Sequence, residues 1–360
     1  MNHPPPDVPA GPPFGVRRQA PSTQATGAPD SEARRTLSPF GGGSAPASPR
    51  SASPSPEGEG TRPAPPAKSR NQPLPRPSPP LPPHRINARA QWLEPRLSVR
   101  DWAILDTLYR VNMATSGQLQ RMHFYGLAQA IHARKRTLKR LVRSGALIAP
   151  PRRVGGPQGG SQQRIYSLDP AARMLMQMRV GVAEDEPGDS GYLRALRLAQ
   201  HTLTVSELYT RCVELARNAP VDIVEFQAEP QCWWPLDRRR YLKPDAHLRL
   251  ANFDNQIIDN WWLEVDLGTE RARAIRDKFR RYLSFYASGE PGPDDAIPRV
   301  LVTAPDNARA KALTRAVARL GPYAQSLIHV TAFDAATTFL ATFSTTPIQP
   351  PNEPTERNEP

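Results

Sequence analysis

Cysteine is nearly missing from this chain, which has only Cys212 and Cys232 in 360 residues. Two cysteines at that spacing form neither a disulfide framework nor a zinc-ligand pattern, so each is expected to be a reduced, buried filler. Long apolar runs are missing too. No stretch approaches the roughly 18 apolar residues of a membrane span, and Met1 to Pro6 has neither a charged leader nor an apolar core. The expectation is a cytoplasmic protein with no membrane partner. Nor is there a phosphate cradle: Gly155 to Gly160 is not followed by the Gly-Lys-Ser/Thr ending that one requires, so no nucleotide cofactor is expected.

The third scarcity is local. From Arg96 to Arg179 there are 15 Lys and Arg residues against three acids, Asp101, Asp106 and Asp169, a surplus of 12 that nearly equals the +13 of the whole chain. Positive charge gathered in one stretch fits a surface that tracks a phosphate backbone, so double-stranded DNA is the expected partner. Residues 181–360 carry 21 basic and 25 acidic residues, which leaves any polyanion contact there to local features.

Proline divides the chain. Of its 43 prolines, 24 fall in residues 1–95, among runs of Ser, Gly and Arg too poor in apolar content to offset ordering entropy. Residues 1–95 are expected to be a disordered, partly polyproline II arm, and residues 343–360 a disordered tail.

Between them the pattern turns helical. Ser98 is a candidate N-cap before Trp102, Leu105 and Leu108, with an end near Val111. Thr115 or Ser116 caps a second helix through Leu119, Met122 and Phe124. A third carries Leu127, Ile131, Leu138, Leu141 and Val142 as its apolar stripe and stops at Ser144 and Gly145. Leu147 and Ile148, a polar glycine-rich connection with Arg152 and Arg153, and a strand from Arg164 to Leu168 complete the module. Over residues 96–180 this resembles a winged helix-turn-helix, whose third helix enters the major groove while a hairpin lies along the backbone. The resemblance makes Gln129, His132, Arg134, Lys135, Arg136, Lys139, Arg140, Arg143, Arg152 and Arg153 the candidate DNA contacts.

Residues 190–342 read as a helix from Tyr192 to Arg217, strands Val221 to Phe226, Ala246 to Leu250 and Ile257 to Asp266, and a helix from Arg271 to Tyr286. A strand Arg299 to Thr303, a helix Asn307 to Leu320 and a strand Leu327 to Thr331 follow. Side chains alternate along a strand, so Glu264 and Asp266 share one face, and Asp245 at the start of the preceding strand is placed to join them. Three converging carboxylates suit a hard cation such as Mg²⁺ or Mn²⁺. Lys278 lies on the flank of the buried stripe formed by Ile275, Phe279, Tyr282, Leu283 and Tyr286, from which it reaches the carboxylates. It also has the simpler role of covering apolar surface with its stem. His201 and Glu207 either touch the same place or make polar contacts under the sheet. Thr269 and Glu270 read as a cap and first-turn acid, and the tryptophan pairs at 233–234 and 261–262 as buried sheet positions.

This αβββαβ order resembles the core of PD-(D/E)xK phosphodiesterases, which implies Asp245, Glu264 and Asp266 as metal ligands and, with Lys278, as catalytic residues. The chain departs from that pattern by placing Asp266 where the motif has lysine. The winged module, His201 to Glu207, Lys243 to Asp245, and Leu263 to Glu270 together resemble the replication-relaxation family from Ser98 to Leu340. That resemblance implies an α+β or α/β protein of a bacterial plasmid or integrated conjugative element, involved in replication, relaxation or mobilisation. Besides a protein-binding adaptor whose proline-rich arm recruits a partner, two alternatives stay open. One is a DNA-binding accessory or regulatory protein whose nuclease-like domain is weak or inactive and docks a relaxase, a replication protein or a second copy. The other is a metal-dependent endonuclease or nickase.

Overall fold

The computed structural model describes residues 82–150, 153–154, 163–181, 199–237, 240–254 and 256–343. Most of the expected arm, Arg152, the glycine-rich stretch from Gly155 to Gly160, the first turns of the helix expected from Tyr192, and the tail after 343 lie outside them. The described chain mixes helices and sheets, and the described residues fall within one compact unit.

Helix α1 (Pro83–Leu93) falls inside the stretch assigned to the arm. Proline at a first helical position sacrifices only an N–H that has no partner anyway. Ile86, Ala90 and Leu93 then recur at helical spacing and are buried. Helix α2 (Val99–Val111) is closed by a reciprocal capping box between Ser98 and Asp101, and α3 (Ser116–His123) by another between Thr115 and Gln118. Helix α4 (Ala130–Ser144) starts later than its apolar spacing suggests. It joins the core through Leu138 and Leu141, with only Ala130 and Ala133 against it earlier, so Leu127 and Ile131 stay 38% and 51% exposed.

Strands β1 (Ala114–Thr115), β2 (Leu147–Ile148) and β3 (Arg153–Val154) all pair antiparallel with β4 (Gln163–Leu168). Asp169 then caps α5 (Pro170–Val180), an element the sequence reading passed over.

The second half runs α6 (Ala199–Asn218), β5 (Val221–Ala228), a short hairpin of β6 (Trp234–Pro235) and β7 (Tyr241–Leu242), β8 (Ala246–Asn252) and β9 (Ile257–Val265). Next come α7 (Ala272–Ser288), β10 (Arg299–Ala304), α8 (Asn307–Ala318), α9 (Pro322–Leu327), β11 (Ile328–Ala332) and α10 (Ala336–Thr342). Among the described residues the main sheet has the order β11-β10-β9-β8-β5. Strand β10 is parallel to both β9 and β11, whereas β8 is antiparallel to both β9 and β5. Strands buried on both faces read as continuous apolar runs, and Trp261 to Val265 does so with one exception, Glu264. Alternation sorts these residues into two layers. Trp261, Leu263 and Val265 share a core with Leu208 and Cys212 of α6, Leu340 of α10, and the helices of the basic module. Trp262 joins α7, α8 and α9 through Phe279, Tyr282, Leu313 and Leu327.

The basic module meets α6 along an apolar seam bordered by polar ties. Arg121 reaches Glu207 at 2.6 Å and Glu214 through both Nε and Nη2. Arg217 donates to the carbonyls of Arg121 and Met122 at the end of α3, where a cation is favoured. Partly exposed ion pairs of this kind contribute about 1 kcal/mol or less, whereas burying one leucine contributes about 2 kcal/mol. The seam therefore supplies the stability, and the ion pairs set the register. Among the described residues no helix is long and apolar enough to cross a membrane.

Helix α4 ends at Gly145, whose φ of +69° belongs to the left-handed region. Its amide bonds back to Val142, and a Cβ there would run into the Arg89 guanidinium. Gly126 has φ +74° with nothing nearby. Both Gly126→Ala and Gly145→Ala should lose about 1–2 kcal/mol from backbone strain. Gly145→Ala should lose a further ~0.5–1 kcal/mol by displacing Arg89 from the Ser144 carbonyl. Urea denaturation of both variants measures the difference; equal losses would mean that Arg89 contributes nothing at this helix end.

Candidate functional site

Two groups of side chains stand out, one cationic and one acidic. On α4 the cations divide into two sets. Arg140 sends one Nη to both carboxylate oxygens of Asp101, at 2.6 and 2.7 Å. Asp101 is fully buried and also accepts from the backbone and hydroxyl of Ser98, so one carboxylate caps α2 and anchors α4. Arg134 donates to Gln120 at 2.6 Å and to the Ser116 carbonyl, fastening α4 to α3. Both arginines were expected among the DNA contacts, and both are engaged in holding the helix in place.

The remaining candidates on α4 and its N-cap point outward. Gln129, His132, Lys135, Arg136, Lys139 and Arg143 are exposed. Arg136, Lys139, Arg140, Arg143 and Ser144 together line a shallow basin. In the β3–β4 hairpin Arg153 is the cross-strand partner of Arg164, which is exposed. The side chain of Arg153, like all of Arg152, lies outside the described residues.

The acidic group is built across β8 and β9. Asp245, just before β8, is buried; its Oδ2 accepts from the Val265 amide at 2.7 Å and lies 3.1 Å from His201 Nε2 on α6. Glu264 faces α7. Its Oε2 accepts from Lys278 Nζ at 2.6 Å and its Oε1 from the Tyr282 hydroxyl at 2.5 Å. Lys278 and Tyr282 are four residues apart, which puts both donors on one helix face. Lys278 also lies 3.9 Å from Glu270.

Asp266 is handled differently. It follows the end of β9, where Arg309 of α8 takes its Oδ2 at 2.6 Å. The structure thus brings together Asp245, Glu264, Lys278 and His201, while the expected third carboxylate pairs with α8. Alternation holds only while the chain stays in the strand, and nothing in the spacing pointed to Arg309. Glu207, weighed beside His201, turns instead to Arg121 and Gln118. Tyr282 entered the sequence reading only as part of a buried stripe. The N-cap of α7 is Arg271, without a side-chain bond, so Thr269 does not cap it. Trp261 and Trp262 are fully buried, and Lys243 sits over the Trp233 ring at 4.2 Å. Cys212 and Cys232 are free and buried.

Burial and the nearby Asp245 charge push the Glu264 carboxyl up to about 8, against the pull of Lys278 and Tyr282. Burial would also raise Asp245, but His201, Lys278 and the Val265 amide bring it below its usual value. Desolvation opposes charge on Lys278 and His201 as well. Glu264 and Asp245 nonetheless hold the lysine above its ordinary range, and Asp245 does the same for the histidine.

As it stands, this donor set does not fit a hard cation. Both Glu264 oxygens already have donors, Asp245 Oδ2 has two, and Asp266 is bound by Arg309. Among the described residues no group of three or more His, Cys, Asp and Glu side chains is placed to hold a metal ion.

A family model described as replication-relaxation matches residues 105–300, from the middle of α2 in the basic module through the acidic group to the start of β10. No curated protein and no solved structure matches the chain significantly.

Glu264 has an ordinary value of 4.5 and sits at about 8 here, so folding favours its neutral form. That contribution to stability is complete below 4.5 and is lost as pH rises through about 8. Lys278 restrains the upward shift. Lys278→Met should therefore extend the loss beyond pH ~8, with stability falling relative to wild type by up to ~1.4 kcal/mol per pH unit. Denaturant titrations at three alkaline pH values test this; parallel pH profiles would show that the ammonium does not support the Glu264 charge.

Proposed function

The chain belongs to the replication-relaxation family, and from that membership we propose that it is a cytoplasmic DNA-binding accessory protein of a plasmid or integrated conjugative element. Its role lies in replication, relaxation or mobilisation. Helices α2, α3 and α4 followed by β2, β3 and β4 support a winged helix-turn-helix reading, with α4 assigned to the major groove and the β3–β4 hairpin to the adjacent backbone. One observation carries this reading. Lys135, Arg136, Lys139 and Arg143 are exposed on one helix and have no ion pair among the described residues. Phosphate contacts of this kind position a protein on DNA without selecting sequence, and Gln129 and His132 are the candidates for base edges.

The order α6, β5, β8, β9, α7, β10 supports a PD-(D/E)xK-like second domain. The engagement of Glu264 by Lys278 and of Asp266 by Arg309 favours a weak or silent site, and a surface that docks a relaxase, a replication protein or a second copy.

Replacing Lys135, Arg136, Lys139 and Arg143 together by alanine should weaken duplex binding for every sequence and flatten the log–log salt dependence by about 3–4 units. Arg134→Ala and Arg140→Ala should instead reduce stability, by about 1–3 kcal/mol each, since each leaves a polar partner unmatched. Gel-shift titrations across salt, with denaturation in parallel, separate the two sets. A quadruple variant that binds like wild type removes the DNA-binding reading.

A second reading, an endonuclease or nickase dependent on Mg²⁺ or Mn²⁺, is favoured by the meeting of Asp245, Glu264 and Lys278 at one place on the sheet. Supercoiled plasmid should stay intact with wild type under the first reading. Nicking that disappears in both Asp245→Ala and Glu264→Ala would establish the second.

A further inference from the structure

We propose that the outer surface of α7 and α8 is a second DNA-binding face, which holds a separate DNA segment from the one assigned to α4. The stretches 271–281 and 307–319 contain ten basic residues and one acid, Asp277. The rest of residues 181–360 has 11 basic residues against 24 acidic ones, so the near-neutral total of that half conceals a cationic face. Two of the ten turn inward, Lys278 to Glu264 and Arg309 to Asp266. Arg273 and Arg280 share Asp277, at 3.9 and 3.2 Å. Arg271, Arg276, Arg281, Lys311, Arg315 and Arg319 have no ion pair among the described residues, and all but the half-buried Arg276 are exposed.

The spacing makes this more than a solvated helix face. Arg276 and Arg280 are four apart on α7, and Lys311, Arg315 and Arg319 repeat at four along α8. Like charges at that spacing each destabilise a helix by about 0.2–0.5 kcal/mol. A polyanion laid along the two helices offsets that repulsion and releases its own counterions. Both helices pack on the Trp262 face of the sheet, whereas α4 belongs to the core on the Trp261 face. One straight duplex cannot follow both surfaces, so two segments are gripped, the second running beside the place where Lys278 meets Glu264.

The test is capture of one duplex by another. Full-length protein is loaded onto a bead-tethered duplex, and a labelled duplex of unrelated sequence is added at moderate salt. Wild type should retain the labelled duplex. Arg276, Arg281, Lys311 and Arg315 replaced together by alanine should lower that retention about tenfold or more, given ~four lost phosphate contacts, while affinity for the tethered duplex changes less than about twofold. Circular dichroism confirms that the variant is folded. Failure of wild type to retain the second duplex overturns the proposal. Undiminished retention by the variant does so too, because bridging would then come from two copies acting through α4. The α4 variant tested on a single duplex bears only on the earlier reading, so the two can fail separately.

Discussion

A carboxylate in the middle of a strand covered on both faces must find donors, and Glu264 in β9 is such a group. Its neighbours Trp262, Leu263 and Val265 close off water, so an unmatched charge there would cost several kcal/mol. The layer on the Glu264 side is arranged accordingly. Helix α7 supplies an ammonium and a phenol one turn apart, and their reach sets how closely the helix lies on the sheet. Asp245 sits just before the adjoining strand with its own donors, and two acids this close raise Glu264 while Asp245 keeps its charge. The cation that makes burial tolerable also occupies the oxygens that an incoming metal ion would need.

Much of this was legible from residue order. The caps at Ser98 and Thr115, the alternation through Trp261 to Val265 and the amphipathic stripe of α7 each follow from a local rule, and the structure contains all of them. The partner of Asp266 was not legible, because it depends on a strand ending one residue early and on a helix more than 40 positions away in sequence. Helix α1 was legible in part: Ile86, Ala90 and Leu93 recur at helical spacing, but Pro82 and Pro83 read as the end of the arm, and the packing against α5 that buries the stripe is not visible in residue order. Ile131 shows the reverse case, an apolar residue on the correct side of a helix that has too little neighbour there to bury it.

The two layers also divide the electrostatics. The chain's surplus charge is concentrated in the basic module, yet the half with more acids than bases gathers its arginines on α7 and α8. Net charge summed over a domain therefore says little about what any one face of it attracts.

Asp101 sets what residue 140 must supply. It is fully buried, accepts from Ser98, and offers both oxygens to a single guanidinium. One nitrogen makes both contacts, so the demand is for a cation that reaches this buried carboxylate from α4 rather than for a planar fork. Position 140 is thus constrained by sign and reach: a neutral side chain there leaves a buried charge without its counterpart, whereas the same change at the exposed Lys139 next door does not.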